Sequence, residues 1–130
     1  MRIYIAARYD RRFEMLGVAA ALIRAGHDVT SRWIEGGRGG DSELVAALED
    51  VGDLAHADCL VTFTEQPERH VAWAARGGRH VEFGIALACG KRLCVVGPRE
   101  NVFHHLPSVE VYATVADLIA GLGGPPRVAS

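Results

Sequence analysis

Asp58-Cys59-Leu60-Val61-Thr62-Phe63-Thr64 is a nearly unbroken apolar run rich in β-branched and aromatic residues, and it reads as a buried strand. Working outward, Arg92 to Val96 and Val109 to Tyr112 are two further short runs of the same kind. Toward the N-terminus, Arg2 to Ala7 opens the chain with another strand, and Asp28 to Trp33 supplies a fifth. Helical spacing fills the intervals. Met15, Val18, Ala19, Leu22 and Ile23 recur on one side of a helix from Arg11 to Ala25, and Gly26 suits its C-terminal end. Asp41 or Ser42 caps a second helix running to His56, with Leu44, Val45, Leu48, Val51 and Leu54 expected to face inward. A third helix is expected from Arg79 to Cys89, ended by Gly90, and Thr114 caps a last one to about Ala120.

Strands alternating with helices predict an α/β, flavodoxin-like three-layer sandwich with a five-stranded parallel sheet. In such sheets ligands bind beyond the carboxyl ends of the strands. That rule selects four segments: Ala7–Asp10, Ser31–Asp41, Thr62–Arg79 and Gly97–His105. The 130 residues fit one domain, expected over 1–121, with 122–130 as a flexible C-terminal tail.

A net charge of −2, with acids and bases mixed along the chain, leaves no basic face, so a nucleic-acid polymer is not an expected partner. Cys59, Cys89 and Cys94 lack metal-site or C-x-x-C spacing and read as buried thiols in a reducing compartment. No apolar run reaches membrane-spanning length and Arg2 enters a strand at once, so a cytoplasmic protein away from the membrane is expected.

Neither Gly-rich stretch, Gly36 to Gly40 or Gly77-Gly78, continues into a Walker A sequence, and the first strand–helix turn, Ala6 to Asp10, has no glycine for a dinucleotide fingerprint. The stretch Glu35 to Asp41 is either a surface loop or a lid over the site. More informative is Gly77-Gly78-Arg79-His80-Val81-Glu82-Phe83-Gly84-Ile85-Ala86-Leu87-Ala88. It places one acid, Glu82, near the start of an otherwise apolar helix, where the helix dipole favours the ionised form. Gly78 allows close backbone approach to a ligand, and Gly84 is expected to leave space beside the carboxylate. Such a carboxylate either caps its own helix or serves as the nucleophile of a retaining glycosyl transfer.

Three stretches resemble the nucleoside 2-deoxyribosyltransferase family, which includes 2′-deoxynucleoside 5′-monophosphate N-glycosidases. The opening strand Arg2-Ile3-Tyr4-Ile5-Ala6-Ala7 is similar to the family's first strand. Asp50 to Asp58 matches a D-x-x-x-[IL]-x-x-[AN]-D pattern leading into the third strand. Val81 to Lys91 matches x-E-x-G-x-A-x-x-x-G-K, the stretch that carries the nucleophile. The resemblance implies Glu82 as nucleophile, Tyr4 as the residue that orients it, and Asp50 as a contact to the base and general acid on the leaving group. It implies a nucleoside or nucleotide substrate, with a free base as a possible second substrate, and no metal or organic cofactor.

One departure bears on the substrate. The family's transferases carry a second Asp six residues before the nucleophile, whereas this chain has Arg76. Its monophosphate hydrolases place a small phosphate-binding residue there. Arg8, Arg76, Arg79 and the Gly78 amide are therefore candidates for holding a 5′-phosphate at a helix N-terminus. Asn101 resembles an Asn that the transferases offer to the sugar from a neighbouring subunit, which implies a homo-oligomer. Trp33 either stacks on the base or covers the core edge. Three outcomes stay open at this point: a transferase, a nucleotide N-glycosidase, or a non-catalytic nucleotide-binding module on the same fold.

Overall fold

The computed structural model describes residues 1–37, 42–67 and 77–123. The strands are β1 (Arg2–Ala6), β2 (Asp28–Val29), β3 (Cys59–Phe63), β4 (Arg92–Val96) and β5 (Val109–Tyr112). The helices are α1 (Arg12–Arg24), α2 (Glu43–Ala55), α3 (Gly78–Ala88) and α4 (Val115–Leu122). All strand pairs are parallel, in the order β2-β1-β3-β4-β5. The expected three-layer α/β arrangement is the one observed.

Every residue of β3 is buried, as its apolar run requires, and β3 pairs along its length with β1 and β4. The chain steps outward from β1 to β2, then returns across β1 to β3 and onward to β4. Right-handed crossovers therefore put α1 on one face and α2 and α3 on the other. The winding reverses between β1 and β3, and a crevice opens beyond their carboxyl ends.

β2 is shorter than expected and ends at Val29 rather than Trp33. The reason lies in what satisfies the edge of β1. The Ser31 hydroxyl accepts the Ile5 amide hydrogen at 3.0 Å, and the Trp33 indole donates to the Ile5 carbonyl at 2.7 Å. With side chains filling those ladder positions, the backbone is free to turn into a 3₁₀ helix over Arg32–Glu35.

The second correction concerns α2. Ser42 caps it, accepting from the Val45 amide at 3.2 Å. Leu54 is buried, but Leu44, Val45, Leu48 and Val51 face outward, with exposures of 68, 48, 64 and 51%. The helix turns its acids inward instead. Asp53 accepts from the Arg32 amide at 3.0 Å and pairs with the Arg32 guanidinium at 2.7 Å, while Glu49 lies 3.9 Å from the same group. Ile23 on α1 is likewise exposed.

Of the cysteines, Cys59 and Cys94 are buried with their sulfurs 4.0 Å apart. Cys89, expected inside, is exposed at the end of α3. α4 continues to Leu122, which is buried, and the Gly121 carbonyl accepts from Arg92 at 3.1 Å.

Candidate active site

A cleft of about 560 Å³ lies at the reversal of winding, beyond the carboxyl end of β1. Its walls come from the turn after β1 (Ala7 to Asp10), Trp33, Asp50 on α2, and the start of α3, including Gly78, Arg79 and Glu82. Gly77 shapes that start. Its φ of 80° lies in the left-handed region, which glycine enters without steric cost, and it swings the chain into α3.

Glu82 is half-buried in the second turn of α3, with its carboxylate turned to the cleft. The Tyr4 hydroxyl donates a hydrogen bond to Glu82 Oε2. Tyr4 stands in the middle of β1 with no exposed surface, so its ring is fixed by the sheet. Burial, and then the charge of Glu82 and the hydrogen bond to it, raise the Tyr4 hydroxyl far above the usual tyrosine range. It therefore stays protonated and acts as a donor. Asp50 faces the same cleft from α2, and its charge adds to the field at Tyr4. The structure thus brings Tyr4, Asp50 and Glu82 together from three separate elements. Gly84 belongs elsewhere: it is exposed, and a Cβ built there meets open space rather than the carboxylate.

The basic residues are held by carboxylates. Arg8 lines the cleft, with its guanidinium 2.9 Å from Asp10 and 3.6 Å from the buried Glu65. Arg79 is 7% exposed and makes a two-point ion pair with Glu100, one contact of which measures 2.8 Å. Arg76 lies outside the described residues. Trp33 is buried with one side on the cleft, and its ring centre is 6.1 Å from that of Tyr9.

Asn101 stands away from the cleft. It caps the 3₁₀ helix Val102–His105, where its side-chain oxygen accepts from the Phe103 amide at 3.0 Å. Its amide nitrogen lies 3.4 Å from His80 Nδ1. Behind it, His104 is buried against Phe83 of α3, and its Nδ1 accepts the Glu100 amide hydrogen at 3.0 Å.

Tyr9 and Asp10 line the site without having been singled out individually, though both fall in a segment that the carboxyl-end rule selects. Glu65 and Glu100 also fall in selected segments, but nothing in the sequence announced their arginine partners.

The fold and the cleft define a flavodoxin-like α/β protein with a carboxylate-lined site at the switch point of its sheet. No family model matches the chain, and no curated protein matches it in sequence. Solved structures do. A 2-deoxyribosyltransferase from Bacillus psychrosaccharolyticus superimposes with a TM-score of 0.70 at 18% identity, covering 100% of both chains. The CMP N-glycosidase BcmB of Clostridium botulinum gives 0.59 at 20% identity, covering 95% of this chain and 98% of that one. At these identities the likeness establishes a common fold over the whole length.

Proposed function

We propose that this chain is an enzyme that cleaves or exchanges the N-glycosidic bond of a nucleoside or nucleotide, with Glu82 as its nucleophile. The observation that carries the reading is the Glu82 carboxylate held by a buried, protonated Tyr4 inside a cleft that Asp50 also faces. The two structural neighbours, a deoxyribosyltransferase and a CMP N-glycosidase, support the same chemistry.

In this mechanism a Glu82 oxygen attacks C1′ of the sugar as the bond from C1′ to the base nitrogen breaks. The bonding pair leaves with the base, and Asp50 serves as the general acid that delivers a proton to it. The sugar is left esterified to Glu82. Water then attacks C1′ and gives a proton to the Asp50 carboxylate, releasing free sugar and restoring both the Glu82 carboxylate and the Asp50 acid. Alternatively, a second base attacks C1′ through a ring nitrogen, gives its N–H proton to the Asp50 carboxylate and displaces the Glu82 carboxylate, yielding a new nucleoside. Tyr4 donates to the Glu82 oxygen it holds and so keeps the carboxylate aimed during both steps. Trp33 offers an indole wall for the base. Arg8 and the Gly78 amide at the α3 N-terminus are the described groups nearest in character to a phosphate site.

A homo-oligomer acting in a reducing, cytoplasmic compartment completes the proposal, supported by the outward apolar residues of α2 and by the free cysteines.

The test is incubation with a panel of nucleosides and their 5′-monophosphates, with and without an acceptor base, followed by chromatography. New nucleosides mean transfer, whereas free sugar with free base means hydrolysis. Glu82→Ala is expected to lower base release by roughly 10³-fold or more while ligand binding persists. A wild-type protein that releases no base from any member of the panel would instead be a binding module.

A further inference from the structure

Arg79 and Glu82 stand three residues apart on α3, a spacing that puts two side chains on neighbouring points of a helix surface. Both line the cleft. An arginine so placed ordinarily pairs with the acid one turn along. Here it does not: the Arg79 guanidinium is directed to Glu100, in the segment after β4, and both side chains of that pair are 7% exposed.

Glu100 is itself held from two sides. His104 Nδ1 accepts its amide hydrogen, and the Glu65 backbone amide donates to its carboxylate. Burial alone would push the Glu100 carboxyl up. The hydrogen bond and charge of Arg79, with smaller contributions from His80 and the Glu65 amide, outweigh that and hold it below the usual range. Glu100 therefore stays ionised at neutral pH and keeps its grip on the guanidinium. The segments after β3 and β4 converge on one carboxylate, whose partner is the cation nearest the nucleophile in sequence.

We propose that Glu100 is a positioning residue for Glu82: by binding Arg79 it keeps the guanidinium from pairing with the Glu82 carboxylate. The inference rests on the reading of Glu82 as nucleophile. A carboxylate in a two-point pair with arginine is both a weaker nucleophile and blocked on the oxygens that must reach C1′. Tyr4 offers one directed hydrogen bond to a single Glu82 oxygen, whereas a two-point pair with Arg79 would cover both. Glu100 touches no substrate atom in this scheme and acts only through Arg79.

The experiment compares wild type with Glu100→Gln, and with the double variant Arg79→Leu/Glu100→Gln. The first leaves the guanidinium to find a new partner, and the second removes it. The readouts are kcat, KM and the carboxyl titration of Glu82 followed by carbon NMR, with its signal assigned from Glu82→Gln. Among the described residues, the ionisable groups that share the cleft with Glu82 are Arg8, Tyr9, Asp10, Asp50 and Arg79, with Tyr4 bonded to it, and of these only Arg79 is altered.

In Glu100→Gln the Glu82 midpoint is expected to fall by about 1–3 pH units. kcat should drop roughly tenfold or more, with KM less affected. The double variant should return the midpoint to its wild-type position. A pair that serves only to hold the fold leaves the Glu82 midpoint unmoved in both variants, because its loss leaves an unpaired charge elsewhere and not on Glu82. An unmoved midpoint in Glu100→Gln, or a midpoint that stays low in the double variant, overturns the proposal.

Should Glu100→Gln fail to fold, Arg79→Lys/Glu100→Gln keeps a lone cation on a more flexible stem and must show the same downward shift; no shift there also overturns it. If wild type releases no base at all, the glycosyl-transfer reading fails, while the titration still decides whether Glu100 diverts Arg79.

Discussion

His104 has 1% of its surface exposed, with its ring edge-on to Phe83 and its Nδ1 accepting from the Glu100 amide. Only the form with an unprotonated Nδ1 can accept that bond. Burial first, and then the nearby charges of His80, Arg79 and His105, lower its pKa against the opposing pull of Glu100. His80 is lowered as well, by burial and then by Arg79, and His27 by burial and then by the N-terminal ammonium group. The sign of the linkage follows directly. Below the unfolded histidine value of about 6.5, the unfolded chain binds protons that the folded chain refuses, so stability falls as pH drops. Tm is therefore expected to decline between pH 7 and pH 5. His104→Asn, whose amide oxygen can still accept from Glu100, should cost roughly 1–2 kcal/mol at pH 7 and flatten that decline. Thermal unfolding across the range checks this, and equal slopes for the two proteins would remove His104 from the account. At the same scale, the sequence located Glu82 by helix position and Tyr4 and Asp50 by family resemblance. It did not reveal that Arg79 belongs to Glu100. That pair joins residues 21 positions apart on separate segments, and no periodicity records it.

Among the elements, α2 separates what a hydrophobic pattern reports from what it leaves open. Leu44, Leu48 and Val51 do mark one stripe of a helix, as their spacing says. Spacing does not say which way a stripe faces, and here the inward side is set by Asp53. That carboxylate, 5% exposed, takes both the backbone amide and the guanidinium of Arg32 and pins the 3₁₀ segment that carries Trp33 to the cleft wall. β3, β4 and β5 were legible because they are short apolar runs with a single sensible location. β2 was overestimated because Ser31 and Trp33, which resemble strand residues in sequence, act as side-chain partners for Ile5. Asp53→Ala leaves the Arg32 amide and guanidinium without their acceptor and is expected to destabilise the fold by about 1–3 kcal/mol. Denaturant unfolding measures the loss. A change within a few tenths would mean that packing of Leu54 and Trp33 alone orients α2.

For the whole molecule, the consequence of that inverted helix is an apolar surface next to the proposed site. Leu44, Leu48 and Val51 are joined by Val81, which is 64% exposed on the adjacent α3. Val51 follows Asp50 in the chain and Val81 precedes Glu82, so the patch borders two of the residues that face the cleft. All four side chains are more than half exposed, and apolar side chains gathered on one face are what an interface covers. A stable interface takes about 800 Å² from each partner. A second copy of the chain, applied across this face, would cover it. Sedimentation is expected to show a dimer or larger species at micromolar concentration. Leu48→Glu/Val51→Glu buries two charges in the contact and should shift the protein to monomer without lowering the stability of the fold, since neither side chain enters the core. If the active site is shared, kcat should fall with dissociation and recover as protein concentration rises. A wild-type protein that sediments as a monomer throughout the micromolar range would leave Asn101 as a cap for its own 3₁₀ helix, and the cleft would have to work from one chain.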